Sequence, residues 1–66
     1  MININVKVWA ISGQGQSGFA TQALLGNSMI CGMTDTSGMT AQQVADSCVD
    51  SCKEFLPDAT YIIHLP

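Results

Sequence analysis

From Ile2 to Ala10 the even positions are all apolar (Ile2, Ile4, Val6, Val8, Ala10), while Asn3, Asn5, Lys7 and Trp9 fill the odd ones. A period of two is that of a half-buried strand, and β-branched residues suit its pleated surface. The pattern breaks at Ser12-Gly13-Gln14-Gly15-Gln16-Ser17-Gly18, which predicts a loop. Phe19 to Leu25 then sets Phe19, Thr21, Ala23 and Leu25 on one face, and Gly26-Asn27 supplies residues tolerant of the positive φ of a hairpin turn. A second strand is expected there, with a short helix over the same residues as the competing reading. The return strand, Ser28 to Thr34, carries Met29, Cys31 and Met33 on one side, with Gly32 as the expected bulge.

Asp35-Thr36-Ser37-Gly38 is loop chemistry, and Thr40-Ala41-Gln42-Gln43 matches a capping box, in which Thr and Gln side chains satisfy the first free backbone donors of a helix. Ala41, Val44, Ala45, Cys48, Cys52, Phe55 and Leu56 recur at helical spacing, opposite Gln42, Gln43, Asp46, Asp50, Lys53 and Glu54, until Pro57 stops the pattern. Ala59 to Leu65 alternates again, Tyr61, Ile63 and Leu65 against Thr60, Ile62 and His64, which predicts a final strand. The order is βββαβ. It implies a single α+β domain over residues 1–66, a two-layer sandwich with one amphipathic helix on one sheet. The last strand should return parallel to a neighbour through a right-handed crossover.

Charge narrows the functional classes. Lys7 and Lys53 are the only basic residues, against five acids, which lacks the cationic footprint of direct nucleic-acid binding. No apolar run approaches the roughly 18 residues of a membrane span, and an odd count of cysteines (Cys31, Cys48, Cys52) without a leader-like start suggests a reduced, cytoplasmic protein. Val8 to Thr34 contains no charged residue and no histidine. A chain of 66 residues has a marginal core and commonly relies on a partner subunit, so a neutral first half suggests a homo-oligomer.

The glycine-bearing first hairpin ending in Gly18-Phe19, followed by Asp35-Thr36 and the capped run Thr40-Ala41-Gln42-Gln43-Val44-Ala45, resembles the HicB-like antitoxin domain over roughly Ile4 to Leu65. The resemblance implies a partial RNase-H-like βββαβ fold that is not itself catalytic and that binds a small HicA-type mRNA-cleaving toxin, covering its catalytic histidine. Gln14, Gln16, Gln42 and Gln43 stand where that family usually carries acids, and the chain stops at Pro66, where many members continue into a DNA-binding module. Operator binding is therefore not carried over.

Gly13-Gln14-Gly15-Gln16-Ser17-Gly18 fits G-x-G-x-x-G after a strand, the pattern of a pyrophosphate-binding loop. A dinucleotide fold needs a full helix next, and only seven residues separate the loop from Gly26, so a plain hairpin connection is the preferred reading. In an oligomer, copies of Ser12, Gln14, Gln16 and Ser17 around an axis could hold a small anion, which makes a phage or mobile-element anti-defence protein that sequesters a cyclic nucleotide, or blocks an immune effector, the alternative. Cys48, Cys52 and His64 could be imagined as metal ligands, but the spacing suits buried small side chains better, and neither metal nor cofactor is expected. No catalytic constellation can be assembled from the sequence. Trp9, opposite the aliphatic stripe beside Lys7 and Ile11, should lie on the outer sheet surface. The expectation is a non-enzymatic module that inhibits a toxin or defence protein by occupying its surface, with Trp9, Ser12, Gln14, Gln16, Ser17, Phe19 and Asp35 as the contact residues.

Overall fold

The structure, a computed structural model, describes residues 2–66. The elements are β1 (Asn3–Gly13), β2 (Gln16–Leu25), β3 (Ser28–Asp35), α1 (Ala41–Lys53) and β4 (Thr60–His64), the expected βββαβ order. They form one four-stranded sheet in the order β3-β2-β1-β4. The two hairpins pair antiparallel, and β4 returns parallel to β1, with Ile4 opposite Tyr61 and Val6 opposite Ile63. The helix packs on β1, β2 and β3, giving the two-layer α+β architecture.

The alternation in β1 sets the layers. Ile4, Val6 and Val8 point toward the helix and are buried, and their partners across the β1/β2 ladder, Thr21 and Ala23, join them. From α1 come Val44, Ala45, Cys48, Val49 and Cys52. Val49 belongs to neither face of the sequence pattern, yet it is buried. This interior is built from small side chains, each large aliphatic contributing about 1.5–3 kcal/mol by leaving water. Phe19, Ile30, Cys31, Met33, Leu56, Tyr61 and Ile63 pack around it half-buried.

Several expectations need correction. The predicted seven-residue loop is mostly strand: β1 runs to Gly13 and β2 restarts at Gln16, leaving only Gln14 and Gly15, both at positive φ (52° and 78°), as the turn. Two central residues at positive φ characterise a type I′ turn, whose twist matches that of the strands it joins. Glycine and serine composition marked flexibility, but ladder pairing across Ser12/Ser17 and Ile11/Gly18 overrides it. The bulge falls not at Gly32, which pairs regularly with Gln22, but between Cys31 and Met29, where Ile30 is the extra residue. Met29 therefore leaves the face of Cys31 and Met33. The helix also ends earlier than Pro57 requires. Glu54 is its C-cap, Leu56 N donates to Cys52 O at 2.8 Å, and Phe55 is mostly exposed. The final strand is trimmed to five residues, without Ala59 or Leu65.

The helix start and the second turn match expectation. Thr40 Oγ1 accepts from Gln43 N at 3.2 Å, and Thr40 N donates to Gln43 Oε1 at 2.9 Å. Gly26 adopts φ 63° in the two-residue turn between Leu25 and Ser28. Gly18 has a different reason to be glycine. A Cβ there would overlap the Asp35 carbonyl and come within 2.9 Å of Thr36 Cα, so the end of β3 passes directly over it. Gly13 has open space in the same test.

Gly18→Ala is expected to destabilise the fold by about 1–3 kcal/mol, the range of forced overpacking, with Gly13→Ala costing far less. Urea unfolding followed by circular dichroism measures both, and equal losses would refute the close-approach explanation.

Candidate functional site

One helix covers one face of the sheet, and among the described residues no layer lies over the other face. The register places Asn5, Lys7, Trp9 and Ile11 of β1 on that face, with Leu24, Gln22, Ala20 and Gly18 of β2 opposite them in turn. Thr34 and Gly32 of β3 continue the rows through Ala20 and Gln22, and the bulge adds Met29 beside Leu24. On the other flank, Ile62 and His64 of β4 lie opposite Asn5 and Lys7. The centre is concave because its residues are small. Ala20 and Gly32 line a groove of about 350 Å³ along with Trp9, Met29 and Thr34. Ala20 is only 4% exposed although no helix lies above it, whereas Trp9 is 40%, Met29 58% and Ile62 42% exposed. The single charged side chain in these rows is Lys7, while His64 Nε2 lies 3.0 Å from Asn5 Oδ1. An aromatic and a thioether wall on either side of a shallow, nearly uncharged trough can take an apolar side chain from another molecule.

The contact residues expected from the sequence do not form one site. Trp9 is on the uncovered face, as its phase required. Ser12, Gln14, Gln16 and Ser17 are exposed at the tip of the β1/β2 hairpin, past the reach of the helix, and Ser12 pairs with Ser17. A shallow hollow of about 320 Å³ there is lined by Ile11, Ser12, Gly13, Gln14, Gln16 and Thr36. The Gly13–Gly18 stretch is followed by a strand, so no helix N-terminus points at it. Phe19 turns to the helix side and is half-buried against the core. Asp35 is spent on its own loop: Oδ1 accepts from Ser37 Oγ at 2.7 Å, and Oδ2 accepts from Ser37 N at 3.1 Å and Met39 N at 3.2 Å. The Ser37 hydroxyl, more than either amide, holds its carboxyl below the ordinary value.

A second cluster lies inside. Cys31 on β3 and Cys48 and Cys52 on α1 are free thiols whose sulfur atoms all fall within 4.8 Å of one another. The helical pair was visible in the sequence. Its third member is Cys31 and not His64, which the register puts on the opposite face of the sheet. Burial pushes the Cys48 thiol up and the Cys52 thiol up to about 12, with Cys31 adding to both. Thr21, 1% exposed, abuts Cys48, yet among the described residues its hydroxyl has no partner in hydrogen-bond geometry. Sequence reasoning missed Thr21, Met29 and Ile62. The first was hidden by its apolar phase, the second by the bulge, and the third by its place among the polar positions of β4.

Among the described residues, no helix is long and apolar enough to cross a membrane. Comparison with protein-family models, curated proteins and solved structures finds no match to this chain.

Two predictions follow from the interior. Thr21→Val removes an uncompensated buried hydroxyl while keeping the branched shape, and should raise stability by about 1–3 kcal/mol in urea unfolding; a loss would mean that the hydroxyl has a partner. A thiol whose pKa is raised on folding adds stability that is fully present below its ordinary value of 9.0 and is lost as pH rises toward about 12. Unfolding free energy should therefore fall across that window, with a shallower slope in Cys52→Ala.

Proposed function

We propose that this protein is a non-enzymatic binding module that inhibits a protein partner by covering part of its surface with the uncovered face of the sheet. The observation that carries this reading is the trough between Trp9 and Met29, lined by Ala20 and Gly32 on a face with one charged residue. Exposed aromatics at the centre of such faces anchor interfaces, because they bury a large area at a small cost in side-chain entropy. The βββαβ order agrees with the HicB-like resemblance, and a small mRNA-cleaving toxin is the partner that this resemblance implies. The glutamines at positions 14, 16, 42 and 43 mean that docking rests on apolar fit more than on charge. The same face supports self-association when the partner is missing, helped by the edge strand β3, which carries neither lysine nor proline and is interrupted only by its bulge.

Sequestration of a nucleotide by the exposed hairpin tip is the competing reading, and the two separate experimentally. Trp9→Asp should lower the particle mass in light scattering toward that of the monomer while leaving the helical signal in circular dichroism unchanged. An unchanged mass removes Trp9 from the self-association interface. A nucleotide that copurifies with the wild type, survives Trp9→Asp and is lost in the Gln14→Ala, Gln16→Ala double variant would replace the docking reading with sequestration.

A further inference from the structure

We propose that Cys31, Cys48 and Cys52 form a three-sulfur binding site for a trivalent thiophilic metalloid, with arsenous acid as its soluble form. The cluster joins two layers of the fold. Cys48 and Cys52 are one helical turn apart on the face of α1 that meets the sheet, and Cys31 comes from the edge strand β3. Residue spacing puts the helical pair on one face, and the bulge at Ile30 sets the phase that turns Cys31 toward them. The three sulfurs lie within 4.8 Å of one another. Sulfurs bonded at about 2.3 Å to a shared centre stand at most roughly 4 Å apart, so closure takes side-chain movements on the order of 1 Å. Cys48 and Cys52 are fully enclosed, while the half-buried Cys31 provides the way in.

Thr21, 99% enclosed, presents an unpartnered hydroxyl beside Cys48. Buried hydroxyls almost always have a partner, so the wall of the cluster beside Cys48 is polar where the rest of the interior is hydrocarbon.

Charge selects the occupant. Three thiolates around a monovalent ion carry a net charge of minus two, around a divalent ion minus one, and around a trivalent centre zero. A net charge in an apolar interior is costly unless it is paired. The chain's basic side chains, Lys7 and Lys53, are both exposed, and His64 lies on the far face of the sheet. The neutral product is therefore preferred over the anionic zinc or copper(I) complexes that soft sulfur ligands otherwise favour. The reaction balances without an oxidant or a base: arsenous acid exchanges three As–OH bonds for three As–S bonds, each S–H proton leaves on a departing hydroxide, and three waters are released. Arsenic remains trivalent and sulfur is not oxidised.

The test is titration of the folded full chain with sodium arsenite under a phosphine reductant, read by native mass spectrometry and by sulfur-to-arsenic absorption. The expected result is one arsenic per chain with loss of three hydrogens, and a melting temperature that rises with arsenite concentration, because the folded chain binds more tightly than the unfolded one. Binding to the urea-unfolded chain should be at least about tenfold weaker. Cys31→Ser, the replacement at the most accessible member, should abolish the three-hydrogen signature while circular dichroism reports an intact fold. If that variant does not fold, the comparison of folded with unfolded wild type decides alone. Loss of two hydrogens in the wild type, equal affinity for the unfolded chain, or preference for zinc or copper(I) over arsenite in competition would each overturn the assignment.

Discussion

Everything in this fold depends on covering a four-stranded sheet with a single helix of thirteen residues. The helix is long enough to bury the middle of β1, β2 and β3 on one side, where Ile4, Val6, Val8 and Ala23 meet Ala45, Cys48, Val49 and Cys52. It cannot cover the hairpin tip, and nothing in the described chain covers the other side. Strand geometry sends alternate residues outward whatever their chemistry. Trp9, Leu24 and Ile62 therefore reach the uncovered face as a consequence of burying their neighbours. For a chain this small, stabilisation from burial barely exceeds the loss of conformational entropy, so the inner face takes the aliphatic stripe and the outer face keeps what the alternation leaves.

The single-residue bulge at Ile30 links the two faces. In a regular ladder, Met29, Cys31 and Met33 would share a side, as the alternation of β3 suggests. The extra residue instead sends Met29 to the outer face, where its sulfur lies 3.4 Å from the position a Cβ on Gly32 would take, and leaves Ile30 and Cys31 packed against the core cluster. One irregularity thus supplies a wall of the outer trough and keeps the third thiol beside the helical pair. It also bends an otherwise unprotected edge strand, a common role for bulges at sheet edges.

Much of this was legible wherever a local rule has one physical solution. The aliphatic stripe of β1, the reciprocal cap at Thr40 and Gln43, and the glycine turn at Gly26 depend on neighbours within a few residues, and each was read correctly. Features that depend on distant pairing were not. Ser12 to Gly18 has the composition of a loop, but nine consecutive β1/β2 pairs from Asn5/Leu24 to Gly13/Gln16 draw it into the ladder. Gly18 looked like part of a phosphate-binding pattern, whereas its lack of a side chain accommodates the backbone at Asp35. Glycine is a frequent bulge residue and so draws the expectation to Gly32, whereas here Gly32 pairs regularly with Gln22 and the extra residue is the β-branched Ile30. For the candidate sites, the phase of Trp9 was enough to place it. Cys31 could be joined to Cys48 and Cys52 only once the helix was laid across β3.

The outer trough and the thiol cluster occupy opposite sides of the same two strands. Ala20 faces out and Thr21 faces in, and Gly32 faces out while Cys31 faces in. The sheet between them is one residue thick, with no packed layer to absorb a shift. A ligand that closes the three sulfurs by side-chain movement alone leaves the trough as it is, whereas one that pulls the backbone at Cys31 toward α1 would also move its neighbour Gly32, which lines the trough. A partner seated between Trp9 and Met29 would in the same way act on the thiol cluster only through the backbone of β3. Whether the coupling is favourable depends on whether both occupants hold β3 in the same position. By linkage, its size must be the same measured from either face.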